Sequence, residues 1–158
     1  MNDLAARVLD ACRSRGLMLA TAESCTGGLV AAAITSVPGS SDVFERGLVT
    51  YSYPSKTALL GVPEAMLREH GAVSEPVARA MAEGALTRSL ADITVAVTGV
   101  AGPGGSEAKP EGLVHFACAM KGKPTRHLRK DFGPIGRTQV RERSAETALE
   151  LLLETLAT

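Results

Sequence analysis

The sequence predicts an α/β fold, a mainly parallel sheet covered by helices on both faces with an antiparallel hairpin added late. Three observations point there. Short apolar runs at Leu17–Thr21, Gly47–Ser52 and Ile93–Val97 alternate with helix-favouring segments, the order that parallel strands need for their crossovers. Ile93–Val97 is apolar and β-branched, the composition of a strand at a sheet centre. Two further strand-like runs, Leu113–Met120 and Arg126–Phe132, are joined only by the turn around Lys121-Gly122-Lys123-Pro124.

Each element has a local reason. Leu4, Val8, Leu9 and Cys12 recur at helical spacing, and Gly16 closes that stretch as a C-cap. After the first strand, Gly28–Val37 is Ala-rich and helix-favouring until Pro38-Gly39 ends it. Pro54 blocks continuation of the strand at Gly47–Ser52. Lys56–Leu60 reads as a short helix, and Pro63–His70 as another that stops at Gly71. Ser74 is placed to cap a long helix running towards Leu90, with Pro76 in its first turn. Val100–Gly112 is a Gly- and Pro-rich loop, and an amphipathic helix from about Gly136 to Leu156 closes the chain. There is no internal repeat, linker or low-complexity tract, so residues 1–158 read as a single domain.

Composition narrows the partners. Seventeen basic side chains balance seventeen acidic ones, so no net field draws nucleic acid or an anionic membrane. With no Trp, two Tyr and three Phe, a base-stacking platform is not expected either. Three cysteines without a CxxC pair argue against a disulfide framework or a zinc site and fit a reducing compartment. Met1–Gly16 is amphipathic and charged, unlike a signal peptide, and no apolar run is long enough to span a membrane. The expectation is a cytoplasmic domain that handles a small molecule.

In open sheets of this kind ligands sit at the carboxyl ends of the strands. Three segments fall there: Glu23–Gly28, Thr50–Lys56 and Thr98–Lys109. Ala22-Glu23-Ser24-Cys25-Thr26-Gly27-Gly28 sets a hydroxyl and a thiol where a strand hands over to a helix, whose first free N–H groups favour negative charge. That suits a nucleophile beside an oxyanion hole, or a phosphate cradle. Ser24 is either that nucleophile or simply the helix N-cap. Cys25 is a rival nucleophile or a small buried hydrophobe. No pattern pairs either residue with His70, His115 or His127, so a Ser-His-Asp or Cys-His arrangement is poorly supported.

Lys56 is the alternative base, unless it is a solvated surface charge. To act near neutrality its pKa must fall by roughly three from about 10.4, a cost near 4 kcal/mol to the charged form. Tyr51 is placed to relay a proton or orient the amine, or else packs as a strand residue. The glycines of Thr98–Ser106 let backbone approach a ligand closely, but the Walker pattern is absent. Lys109 and Arg137 are candidate phosphate partners. Arg137, Arg141 and Arg143, interleaved with Glu142 and Glu146, read mostly as an exposed helix face.

Taken in order, several of these segments resemble the CinA C-terminal domain family, which includes stand-alone nicotinamide-nucleotide amidohydrolases. The likeness runs through Ala22–Gly28, Pro38-Gly39-Ser40-Ser41, Phe44-Glu45-Arg46-Gly47 and Val49-Thr50-Tyr51-Ser52. It continues through Lys56, His70–Glu75, Thr98–Pro103 and Lys109-Pro110. The resemblance implies a three-layer α/β/α sandwich, often dimeric. It implies hydrolysis of the carboxamide of nicotinamide mononucleotide (NMN) to nicotinate mononucleotide and ammonia, without a metal or cofactor. Ser24 would be the nucleophile and Lys56 its general base, with Tyr51 beside them. Substrate contacts would come from Cys25, Thr26, Gly27, Gly28, Ser41, Thr98, Gly99, Gly102 and Arg137. Two departures stand out: Tyr53 replaces the usual Asn after the Tyr-Ser pair, and Glu111 replaces the usual apolar residue after Lys-Pro. The pyrophosphatase-associated N-terminal domain of full-length CinA proteins has no counterpart here, so that activity is not expected. Two alternatives stand beside this reading: a non-catalytic nucleotide-binding module, and a Ser–Lys amidase acting on another amide.

Overall fold

In the computed structural model, which describes residues 1–158, the chain begins α1 (Asn2–Ser14), β1 (Leu19–Glu23), α2 (Leu29–Thr35) and β2 (Phe44–Val49). It continues through α3 (Tyr53–Leu60), α4 (Glu64–His70), α5 (Glu75–Thr87) and β3 (Ile93–Gly99). The hairpin β4 (Leu113–Met120) and β5 (Arg126–Asp131) and the long α6 (Arg137–Leu156) complete it, with a 3-10 turn at Ser40–Asp42 before β2.

The strands form one sheet in the order β2-β1-β3-β4-β5. β1 pairs in parallel with both β2 and β3, while β4 runs antiparallel to β3 and β5. Only β4 therefore opposes the rest, and the sheet is mixed but mainly parallel. Helices cover both faces, and the side chains explain how. On one face Leu19, Ile93, Val95, Val97, Val114, Phe116 and Cys118 meet the apolar sides of α1, α2 and α6. The other face presents Ala22, Ala96, Ala117 and Ala119 to α5, which answers with Ala78, Ala82 and Ala85. Small residues on both sides let α5 lie close to the sheet. At Gly84 the approach of α3 is so tight that a Cβ would stand 1.8 Å from the Leu60 carbonyl oxygen.

Among the boundaries that differ from the sequence expectation, three shape the site. β1 runs on to Glu23, two residues past Thr21, where it still pairs with Val49 of β2 and Val97 of β3, and the carboxylate finds donors at the start of α2. β2 begins at Phe44 and ends at Val49, earlier than the expected Gly47–Ser52. It is a half-exposed edge strand whose Glu45 and Arg46 pair with each other, so its pattern is not apolar. The release of Thr50–Ser52 from the sheet lets a Ser52/Ser55 capping box open α3 at Tyr53, with Pro54 inside the first turn. Lys56 therefore sits one turn into a helix rather than at its start. At the other boundaries, α2 closes at Thr35, α5 at Thr87, and β3 extends to Gly99.

Candidate active site

Alternation along β1 sends neighbouring side chains to opposite faces. The Glu23 carboxylate turns towards α2, where it accepts the Thr26 hydroxyl at 2.7 Å and the N–H groups of Gly28, Val30 and Ala31 at 3.2, 2.9 and 3.0 Å. Ser24, anchored by its N–H to Val97 O at 2.9 Å, sits at the exit of β1 with its hydroxyl in reach of α3. The cap of α2 is thus Glu23 rather than Ser24. The expectation that the first N–H groups of that helix stand free is corrected, since Glu23 occupies them. Two backbone N–H groups in the turn, those of Cys25 and Thr26, donate to nothing within the protein, whereas Gly27 N–H is taken by Ser24 O at 3.0 Å.

Lys56 reaches the same spot from the second turn of α3. Its amine lies 2.9 Å from Ser24 Oγ and donates to the Thr50 carbonyl at 2.6 Å. The side chain is 1% exposed. Burial pushes the lysine down to about 8 from its ordinary value of 10.5, against the opposing influence of Cys25 and of the carboxylate of Glu107. The drop is smaller than the sequence argument called for, so at pH 7 about one molecule in ten carries the neutral amine. That amine has two N–H bonds and a lone pair. One N–H serves Thr50, and in the neutral form the lone pair is within proton-transfer reach of the Ser24 hydroxyl across the 2.9 Å contact.

The three predicted segments converge on one cleft of about 280 Å³, near the lower end of the size range for small-molecule sites. Ser24, Cys25, Tyr51, Tyr53, Lys56, Thr98, the glycine loop from Gly99 to Glu107, and Arg137 line it. Thr98 is held by its hydroxyl on Ala72 O at 2.9 Å. Arg137 spans the mouth, donating to Gly102 O at 2.6 Å and to the Tyr51 hydroxyl at 2.8 Å. Tyr51 is 62% exposed and its hydroxyl bonds only to Arg137, so it stands at the rim and hydrogen-bonds to neither Lys56 nor Ser24. Burial pushes the Cys25 thiol up to about 12, which leaves it a poor nucleophile beside Ser24.

Several expected residues lie elsewhere. Thr26, Gly27 and Gly28 build the turn without lining the cleft, through Thr26 on Glu23 and the left-handed Gly28 that starts α2. Ser41 is exposed in the 3-10 turn before β2, at the edge where Phe44 pairs with Leu19, the opposite end of the strands from Ser24. Lys109 is turned away, its amine on Val73 O at 2.7 Å. Glu111 accepts the Gly104 N–H at 2.6 Å and folds the loop instead of facing the cleft. His115 and His127 stack on each other, away from the cleft.

Two contacts have no counterpart in the sequence reading. Arg141, expected on an exposed face, reaches back to donate to Cys25 O at 3.1 Å and Thr26 O at 3.2 Å. Tyr53 and Glu107 join across the cleft wall through a hydrogen bond from the phenol to the carboxylate. Neither had a local signal, because the partners lie far apart along the chain.

Comparison with known proteins agrees with this architecture. A CinA-like protein of Akkermansia muciniphila is 55% identical over 139 residues, covering 87% of this chain and 33% of its own length. One from Mycobacterium marinum is 50% identical over 161 residues, covering 99% of this chain and 36% of its own. The chain spans about a third of the length of the curated relatives it matches. Among solved structures, a competence/damage inducible protein from Agrobacterium tumefaciens superposes with a TM-score of 0.95 at 48% identity, covering 99% of this chain and 95% of that one. A CinA superfamily protein from Escherichia coli gives 0.93 at 34% identity, with 98% and 89% covered. No helix is long and apolar enough to cross a membrane. The CinA C-terminal domain matches residues 1–156, and the chain belongs to that family.

Proposed function

We propose that this chain is an amidohydrolase that cleaves the carboxamide of NMN to nicotinate mononucleotide and ammonia through a Ser24–Lys56 pair. The observation that carries the reading is the buried Lys56 amine 2.9 Å from Ser24 Oγ, beside two backbone N–H groups without acceptors. Neutral Lys56 takes the hydroxyl proton as Ser24 attacks the amide carbon. The N–H groups of Cys25 and Thr26 receive the developing oxyanion, a contribution often worth about 3 kcal/mol per donor. Lys56, now protonated, gives its proton to the leaving ammonia. Water then releases the acyl group with Lys56 again as base. The positive pyridinium ring makes its carboxamide more electrophilic than an ordinary amide. Arg137, which lines the cleft and spends only two of its five N–H donors on Gly102 O and the Tyr51 hydroxyl, is the partner for the phosphate.

The test is ammonia release from NMN by the wild-type chain, with Ser24→Ala as control. Release that disappears in the variant supports the reading. No release from NMN, or undiminished release by Ser24→Ala, defeats it. Ammonia from other amides but not NMN would favour the broader Ser–Lys amidase.

A further inference from the structure

The cleft contains a carboxylate for which amide hydrolysis as such has no use. Glu107 lines it from the loop after β3, and its Oε1 receives the Tyr53 hydroxyl. The same phenolic oxygen accepts the Ala72 N–H at 3.0 Å, which commits the Tyr53 proton to Glu107. Gly71 lies beneath, where a Cβ would stand 2.7 Å from Glu107 Oε2. Glu107 and Ala108 both hold positive φ angles, 52° and 60°, a conformation that residues with side chains rarely adopt. Paired backbone hydrogen bonds between Ser106 and Lys109, at 2.9 and 2.7 Å, close the loop around them. The carboxylate is placed, not loose.

Its place is awkward for a lysine base. Negative charge near Lys56 favours the ammonium form, which cannot accept the Ser24 proton. No cation of the protein offsets it by an ion pair. Arg68, Glu69, His70 and Lys109 surround its outer side, and the Lys109 amine is occupied by Val73 O. Arg137, the guanidinium of the cleft, is tied to Gly102 and Tyr51. A group that handicaps the base when the site is empty makes sense if the ligand brings the missing positive charge.

We infer that Glu107 is a specificity residue that receives a positively charged heteroaromatic ring bearing the scissile carboxamide, so that the site selects cationic over neutral rings. The inference rests on the amidohydrolase reading of the same cleft. A carboxamide over Ser24 carries its ring into the cleft that Tyr53 and Glu107 wall, within the field of the carboxylate. The ring charge then relieves Lys56 of that field, so the correct substrate helps to ready the base. Tyr53 acts through Glu107 as a positioning residue.

Calorimetric titration of Ser24→Ala with NMN and with its 1,4-dihydro form tests this. The two ligands share phosphate, ribose and carboxamide and differ in ring charge. Ser24→Ala should bind NMN roughly fivefold more tightly than the dihydro form, the size expected of one partly exposed charge pair. Adding Glu107→Gln should erase that preference by weakening NMN alone, and adding Tyr53→Phe should give an intermediate ratio. Equal losses on both ligands, a preference that survives Glu107→Gln, or no binding of either ligand overturns the proposal. The readout needs no turnover. A wild-type chain that releases no ammonia sinks the hydrolase reading, while the ratio of affinities still judges Glu107.

Discussion

Replacing Lys56 by Met keeps the bulk of the side chain and removes its charge, and the structure sets what should follow. Burial holds the native amine at about 8 against 10.5, a penalty of roughly 3 kcal/mol on the charged form. A lysine that binds its proton more weakly when folded releases it earlier than the unfolded chain does. Stability therefore rises with pH between about 8 and 10.5, and the full penalty stands below about 8. Lys56→Met removes that penalty but leaves the Thr50 carbonyl without its donor, a loss of about 1–3 kcal/mol. At pH 7 the variant should be as stable as wild type or up to about 2 kcal/mol more stable, with no ammonia release. Urea unfolding of both chains at several pH values gives the sharper comparison, because every other titrating group cancels in the difference. The advantage of Lys56→Met should shrink by roughly 3 kcal/mol across that window. Parallel stability curves would show that the folded protein does not penalise the ammonium, and Lys56 would then lack the lowered pKa that a base near neutrality needs.

The same shift gives kcat/KM for NMN a single rising limb, about tenfold per pH unit below pH 8 and level above it; a flat profile from pH 6 to 9 contradicts it. Glu23→Gln turns an amide N–H₂ towards the donors of Thr26, Gly28, Val30 and Ala31 and should cost about 2 kcal/mol in urea unfolding. A cost under about 0.5 kcal/mol would mean that α2 does not need the carboxylate. Arg141→Met releases the carbonyls of Cys25 and Thr26 and should lower kcat for NMN about tenfold with KM little changed. A rise in KM alone would remove Arg141 from the support of the turn.

What the sequence makes legible here follows from how far each feature reaches along the chain. Alternating apolar runs and their punctuation are local, so the sequence alone makes the mixed sheet with helices on both faces legible. β2 starts earlier than its apolar residues indicate because an edge strand does not need an apolar pattern: the part-covered Glu45 pairs with the exposed Arg46. Ser24 and Lys56 were found through position and through the family motifs, and the Oγ–amine distance joins them. Tyr51 was given a role beside the amine, and the structure puts it on Arg137 instead, 86 residues away. Ser41 ends the family motif Pro38-Gly39-Ser40-Ser41, but nothing local reveals that its turn lies at the amino end of β2. Arg141 was read as surface because helical periodicity says nothing about a guanidinium that reaches 116 residues back. The Glu107–Tyr53 contact likewise bridges 54 residues between a loop and a helix.

The division of labour at the end of β1 explains why the site needs that distant arginine. A helix N-terminus would ordinarily supply the positive potential for an oxyanion, yet Glu23 consumes the donors at the start of α2. Its negative charge also lies one residue from Ser24, the proposed nucleophile, which would work against a developing oxyanion. The turn must therefore find its polarity elsewhere. Arg141 donates to the carbonyl of Cys25, the acceptor end of the peptide whose other end is the free Thr26 N–H. Drawing electron density towards the guanidinium makes that N–H a stronger donor. The cation sits behind the turn and lends its charge through the peptide without entering the cleft. Glu23 thus fixes the shape of the turn, Arg141 restores the potential that Glu23 takes away, and Ser24 between them faces Lys56 alone.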